Sequence, residues 1–211
     1  MGEYSIALLS YEKALEIYQK TLPSSHPDLA TSYNNIGSVY NAMGQYSKAL
    51  SFCEKALEIC QKTLPSNHPS VATSYNNIGG VYDNIGEYSK ALASYEKALE
   101  IQEKTLPSNH PDLATSYNNI GSVYHSMEEY SKALSFYEKA LEIEEKTLPS
   151  SHPDLATSYN NIGLVYKNMK DYSKALSYYE SALDILQRAL PPTHPNIKTV
   201  KNNIEILKKN F

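Results

Sequence analysis

Apolar residues return along this chain at spacings of three and four, the mark of one-sided helices. Leu29, Tyr33, Ile36, Tyr40 and Met43 form a first stripe. His26-Pro27-Asp28 marks its start, because proline suits the first helical turn and an early carboxylate complements the positive end of the helix dipole. Tyr46, Ala49, Leu50, Cys53, Ala56, Leu57 and Cys60 form a second stripe, with Gly44-Gln45 as the turn between the two. Leu64-Pro65-Ser66 ends the pair, since proline cannot continue a helix. Glu58 and Lys62 make a favourably ordered charge pair on its outer side. The pattern predicts a helix hairpin followed by a short loop.

That hairpin recurs every 42 residues, in full units over 21–62, 63–104, 105–146 and 147–188. The units at Thr21 and Thr105 agree at 34 of 42 positions, so internal duplication decides the architecture. Residues 1–20 read as the second helix of an incomplete unit, and 189–211 as a C-terminal capping helix. A lone hairpin cannot bury its apolar stripes, whereas a stack of hairpins can. Small residues mark where helices approach closely: Gly37, Ala49 and Ala56, then Gly79, Ala91 and Ala98, then Gly121, Ala133 and Ala140. Leucine at one of these alanines is expected to overpack and cost about 1–3 kcal/mol. The fold class is therefore all-α, a solenoid of antiparallel helix pairs with about ten helices in a single repeat domain, 1–211. Where earlier copies carry Tyr159, Gly163 and Tyr166, the last carries Lys201, Glu205 and Lys208. Charge at packing positions suits a natural C-terminal end. The opening helix, by contrast, is expected to be truncated from its partner and to expose an apolar face that promotes weak self-association.

Tyr33-x-x-Ile36-Gly37-x-x-Tyr40, followed by Ala49-x-x-x-Cys53 and Ala56, resembles the tetratricopeptide repeat. The place of Cys53 is aromatic at Tyr95, Tyr137 and Tyr179, as that family prefers. With its 42-residue period and HPDLA and SYNNIG at fixed places, the chain is similar to the arrays of kinesin light chains. The resemblance implies a right-handed α-α superhelix whose first helices line a concave groove.

Composition removes several function classes. The chain carries 19 Lys and Arg against 23 Asp and Glu, a formal charge of −4, and so lacks the basic surplus that nucleic-acid binding requires. No run of 18 apolar residues is available to span a membrane, and Met1-Gly2-Glu3-Tyr4 does not open a secretory signal. Cys53 and Cys60 would lie roughly 10 Å apart along one helix, too far for a disulfide. They suit packing in a reducing, cytoplasmic compartment. His26, His68, His110, His152 and His194 each precede a proline at a helix start. Neighbouring copies stand roughly one helix spacing apart, about 8–10 Å, which excludes a shared metal. The 19 tyrosines fall mostly at packing positions, and Glu54, Glu58, Glu96 and Glu100 on solvated faces. With no phosphate loop and no nucleophile motif, the chain is expected to be no enzyme and to need no cofactor.

One polar set asks for another explanation. Every first helix carries paired amides: Asn34-Asn35, Asn76-Asn77, Asn118-Asn119, Asn160-Asn161 and Asn202-Asn203. Asparagine is a poor helix former, because its side chain competes for backbone hydrogen bonds. By resemblance, the second Asn of each pair matches a family position that contacts the backbone of a bound peptide. An amide both donates and accepts, which suits an extended strand. The rival reading is that the amides bond between repeats and only set the stacking. Matching the family's variable groove positions adds Ser38, Ser122 and Leu164, then Asn41, Asp83, His125 and Lys167. This groove is nearly neutral, since only Lys167 and the last helix (Lys198, Lys201, Lys208, Lys209) bring cations, so no clamp for a terminal carboxylate is expected. The expected function is a protein-interaction scaffold that holds an extended peptide or partner helix through an Asn ladder. The alternatives are a spacer or regulatory arm of a larger protein, and a consensus-like array without an evolved ligand.

Overall fold

The computed structural model describes residues 2–209, so Met1 of the expected first helix and residues 210–211 of the expected cap lie outside it. Among the described residues there are ten α-helices and no strand. They are α1 (Gly2–Thr21), α2 (Pro27–Ala42), α3 (Tyr46–Thr63), α4 (Pro69–Ile85), α5 (Tyr88–Thr105), α6 (Pro111–Ser126), α7 (Tyr130–Thr147), α8 (Pro153–Asn168), α9 (Tyr172–Ala189) and α10 (Pro195–Lys208). The chain divides into two compact units, Met1–Leu106 and Pro107–Phe211. Unit 1 holds α1 and the hairpins α2/α3 and α4/α5. Unit 2 holds the hairpins α6/α7 and α8/α9, closed by α10.

The five prolyl-preceding histidines do more than mark helix starts. In each, Nδ1 accepts from the backbone N–H two residues on, at 3.2 Å: His26 from Asp28, His68 from Ser70, His110 from Asp112, His152 from Asp154 and His194 from Asn196. An imidazole thus satisfies a free N–H of the first turn, a role normally taken by Ser, Thr, Asp or Asn. The turn inside each hairpin needs a left-handed residue. Unit 1 supplies Gly44 and Gly86, at φ 70° and 87°, whereas unit 2 uses Glu128 and Lys170, at φ 61° and 64°.

Each unit has its own core. In unit 1, Leu15, Leu29, Ile36, Tyr40, Ala49 and Val81 pack together, and Ala30, Ala56, Cys60 and Val71 form a second cluster. In unit 2 one cluster runs from Ala133 through Ile162, Tyr179 and Leu186 to Leu207 on α10. Fully burying one such aliphatic side chain contributes about 1.5–3 kcal/mol. A Cβ placed on Gly163 would stand 2.8 Å from the Tyr179 ring, which explains the small residue there. Both cysteines are free and buried, and burial pushes the Cys53 thiol up to about 12, so it is inert. Tyr40, Tyr95, Tyr137 and Tyr179 are core residues. Half-buried tyrosines stack within the hairpins, as Tyr124 on Phe136 and Tyr166 on Tyr178, both at 5.5 Å, with Lys132 and Lys174 over the Tyr124 and Tyr166 rings.

On α1, Tyr4, Ile6, Leu9 and Ile17 are exposed, while Lys201, Glu205 and Lys208 on α10 meet solvent. No helix among the described residues is long and apolar enough to cross a membrane. Nor do these residues include a cluster of three or more metal-ligating side chains.

Candidate peptide-binding face of the first helices

The paired amides of the first helices have different surroundings. In unit 1, Asn34 is buried and its Nδ2 donates to Ser74 Oγ on α4 at 2.9 Å. Ser74 Oγ donates to the Ser70 carbonyl at 3.0 Å, which fixes the direction of the chain. Among the described residues Asn34 Oδ1 has no hydrogen-bond partner, and the same is true of Asn76 Oδ1. Asn35 and Asn77, the second members, are half-buried and form no side-chain hydrogen bond among the described residues. A cleft of about 360 Å³ opens between α2 and α4, with Thr31, Asn34, Asn35, Ser38, Thr73 and Asn77 on its wall. Towards the helix ends, Asn84 Nδ2 donates to Asn41 Oδ1 at 3.0 Å. Asp83 beside them is half-buried, and burial holds its carboxyl above the usual range.

Unit 2 treats the same positions differently. Asn118 Nδ2 donates to Glu144 Oε1 at 3.0 Å, and Ser158 Oγ donates to Glu144 Oε2 at 2.5 Å. Glu144 is only 8% exposed, and desolvation pushes its carboxyl up against the opposing pull of those two hydrogen bonds. Asn118 Oδ1 is left without a partner among the described residues. At the next junction Asn160 Oδ1 accepts from Asn203 Nδ2 at 3.1 Å. The cleft there, between α8 and α10, is about 180 Å³, with Thr157, Asn160 and Thr199 on its wall. Asn119 and Asn161 are half-buried and, among the described residues, form no side-chain hydrogen bond. His125 Nε2 meets Asn168 Nδ2 at 2.8 Å; the amide can only donate, so the ring carries its proton on Nδ1. Burial holds the His125 pKa below its ordinary value. Ser122, Leu164 and Lys167 are half-buried on α6 and α8.

The expected residues therefore fall into separate groups. Asn34, Asn35, Ser38 and Asn77 share one cleft, Asn41 is tied to Asn84, and His125 to Asn168. The first Asn is engaged between repeats at Asn34 and Asn160, and within its own hairpin at Asn118. Asn203, expected as the last rung of the ladder, is bonded to Asn160. Glu144, Ser74 and Ser158 were outside the expected set. The available signal was the column Cys60, Gln102, Glu144 and Leu186, the most chemically varied buried column in an otherwise uniform repeat.

A tetratricopeptide repeat model matches five overlapping stretches, 1–61, 28–104, 85–146, 112–188 and 154–207. The chain belongs to the tetratricopeptide repeat family. Each unit is a stretch of that family's helical solenoid. Similar solved structures include BtubC (BKLC) of P. vanneervenii, with a TM-score of 0.83 and 22% identity over 98% of this chain and 83% of that one. A putative kinesin light chain of Podosopora anserina with nearly identical TPR-like repeats has a TM-score of 0.72 and 29% identity, over 89% of each chain. The apo form of RapI has a TM-score of 0.76 and 22% identity, over 99% of this chain and 78% of that one. No curated protein matches the chain in sequence.

Proposed function

We propose that this tetratricopeptide array is a non-enzymatic interaction module that captures an extended peptide, or a partner's helix, along its first helices. The observation that carries this reading is that Asn35, Asn77, Asn119 and Asn161, at half-buried sites, form no side-chain hydrogen bond among the described residues, although asparagine weakens a helix. Each amide can donate to and accept from the backbone of an extended strand. Ser38, Ser122, Leu164 and Lys167 then supply side-chain selection. The near-neutral wall fits a neutral ligand with an affinity of about micromolar order, after the cost of ordering a flexible chain. The likeness to a putative kinesin light chain supports a protein partner rather than a small molecule. The free, buried cysteines support a reducing, cytoplasmic setting. The exposed Tyr4, Ile6, Leu9 and Ile17 support weak self-association through α1.

The test is a peptide-library selection on this chain, counter-screened on the triple variant Asn77→Ala, Asn119→Ala, Asn161→Ala. Selected peptides should share a motif and lose the variant. If no peptide is enriched while the variant keeps the parent's circular dichroism, the reading fails and a spacer role takes its place.

A further inference from the structure

Asn34, a residue of the α2/α4 cleft lining, leaves a buried acceptor without a donor among the described residues. The residue is 6% exposed, its Nδ2 is held by Ser74 Oγ at 2.9 Å, and Ser74 is committed to the Ser70 carbonyl. Turning the amide over would break that chain. Oδ1 therefore stays buried and unpaired among the described residues, an arrangement native interiors avoid. The α8/α10 junction shows from where a donor reaches this oxygen. There Asn160 Oδ1 accepts from Asn203 Nδ2. The residue at the matching place on α4 is Asn77, which lines the α2/α4 cleft with its amide unbonded.

We infer that the α2/α4 cleft takes a neutral primary amide, the side chain of an Asn or Gln in the bound peptide; this rests on the reading above and names its preferred side chain. The entering NH2 donates to Asn34 Oδ1, and the entering carbonyl accepts from Asn77 or Asn35 Nδ2. A carboxylate brings no proton for Asn34. An ammonium would be desolvated against a wall that carries no charged residue. At about 360 Å³ the cleft stands at the small end of ligand-sized cavities. The smaller α8/α10 cleft has no such vacancy for a donor, because Val200 stands where α4 has Ser74 and Asn160 turns to Asn203 instead.

Propionamide, propionate and butanone share a shape and differ in hydrogen bonding, so each is titrated into the ¹⁵N-labelled chain while the side-chain amide signals are followed. Propionamide should shift Asn34 and Asn77 saturably, and leave Asn160 and Asn203 in place. Butanone and propionate should bind at least roughly tenfold more weakly, the worth of one hydrogen bond. An equal response to butanone, an equal response at Asn160 and Asn203, or no saturation with propionamide would overturn the inference. Ser74→Val, which copies Val200, should release Asn34 to pair with Asn77 and abolish the response at unchanged helicity; a retained response also overturns it. Peptides that bind without favouring Asn or Gln at any position overturn this inference and leave the groove reading standing. A propionamide response with no peptide selected supports the cleft and removes the groove.

Discussion

The α2/α4 junction of unit 1 and the α6/α8 junction of unit 2 carry the same Asn-Asn pair on the same helix turn, yet they solve its burial differently. In unit 1 the neutral Asn34 bonds the neutral Ser74 beside Cys60. In unit 2 the Cys60 position is Glu144, whose buried carboxylate gathers both Asn118 and Ser158. Loss of a donor to a buried charge costs more than loss of a neutral partner, because the charge stays desolvated. One side chain per repeat thus decides whether the Asn pair sits beside a neutral side chain or a buried carboxyl.

The largest expected effect lies at that difference. Ser158→Ala should cost about 2–3 kcal/mol at neutral pH and Ser74→Ala about 1 kcal/mol, read from urea unfolding of each variant. Equal losses would break the comparison. Protonation gives the second test. The folded pKa of Glu144 is raised above its unfolded value, so the folded state binds the extra proton in the intervening window. Its contribution is fully present below the ordinary carboxylate range and is lost as pH rises through the folded pKa. Glu144→Gln, which copies Gln102, should therefore gain about 1 kcal/mol at pH 7, with the gain shrinking as pH falls through the folded pKa and gone below the ordinary carboxylate range. A gain independent of pH would remove the charge from the account.

The hairpin turns sharpen the same contrast. Glu128 and Lys170 hold left-handed conformations that glycine adopts without strain. Glu128→Gly and Lys170→Gly should each stabilise by about 1 kcal/mol, and Gly44→Ala and Gly86→Ala should destabilise by a similar amount, measured as shifts in thermal midpoint. Smallest is the effect expected on α1. Ile6 and Leu9 stand where every later copy has Lys and either Ser or Ala. Ile6→Lys with Leu9→Ser should change stability by less than about 0.5 kcal/mol. Light scattering should show that the pair removes concentration-dependent association; association that persists places the contact elsewhere.

Much of this was legible in the residues. The 42-residue period, the hairpin with its Gly44 turn and Pro65 stop, and the close approach at Gly37, Gly79 and Gly121 are local or periodic, so a linear reading reaches them. The histidines were legible as helix starts, but the acceptor role of Nδ1 was not, because it depends on a ring rotamer. The Asn pairs stood out as misfits in helices, although which member would be engaged did not.

What the sequence alone determined is the repeat and therefore the all-helical array, because apolar spacing and turn residues act within a few positions of themselves. Which amides stay free was decided only by the tertiary structure. Asn34 finds Ser74 at a separation of 40 residues, Asn118 finds Glu144 at 26, and Asn203 finds Asn160 at 43. Those partners differ by Cys60, Glu144 or Leu186 packed beside them, and an amide has two unlike ends. Which end is engaged is set by whichever neighbour can donate or accept, and that neighbour is known only once the helices of a hairpin and of the next repeat are packed together.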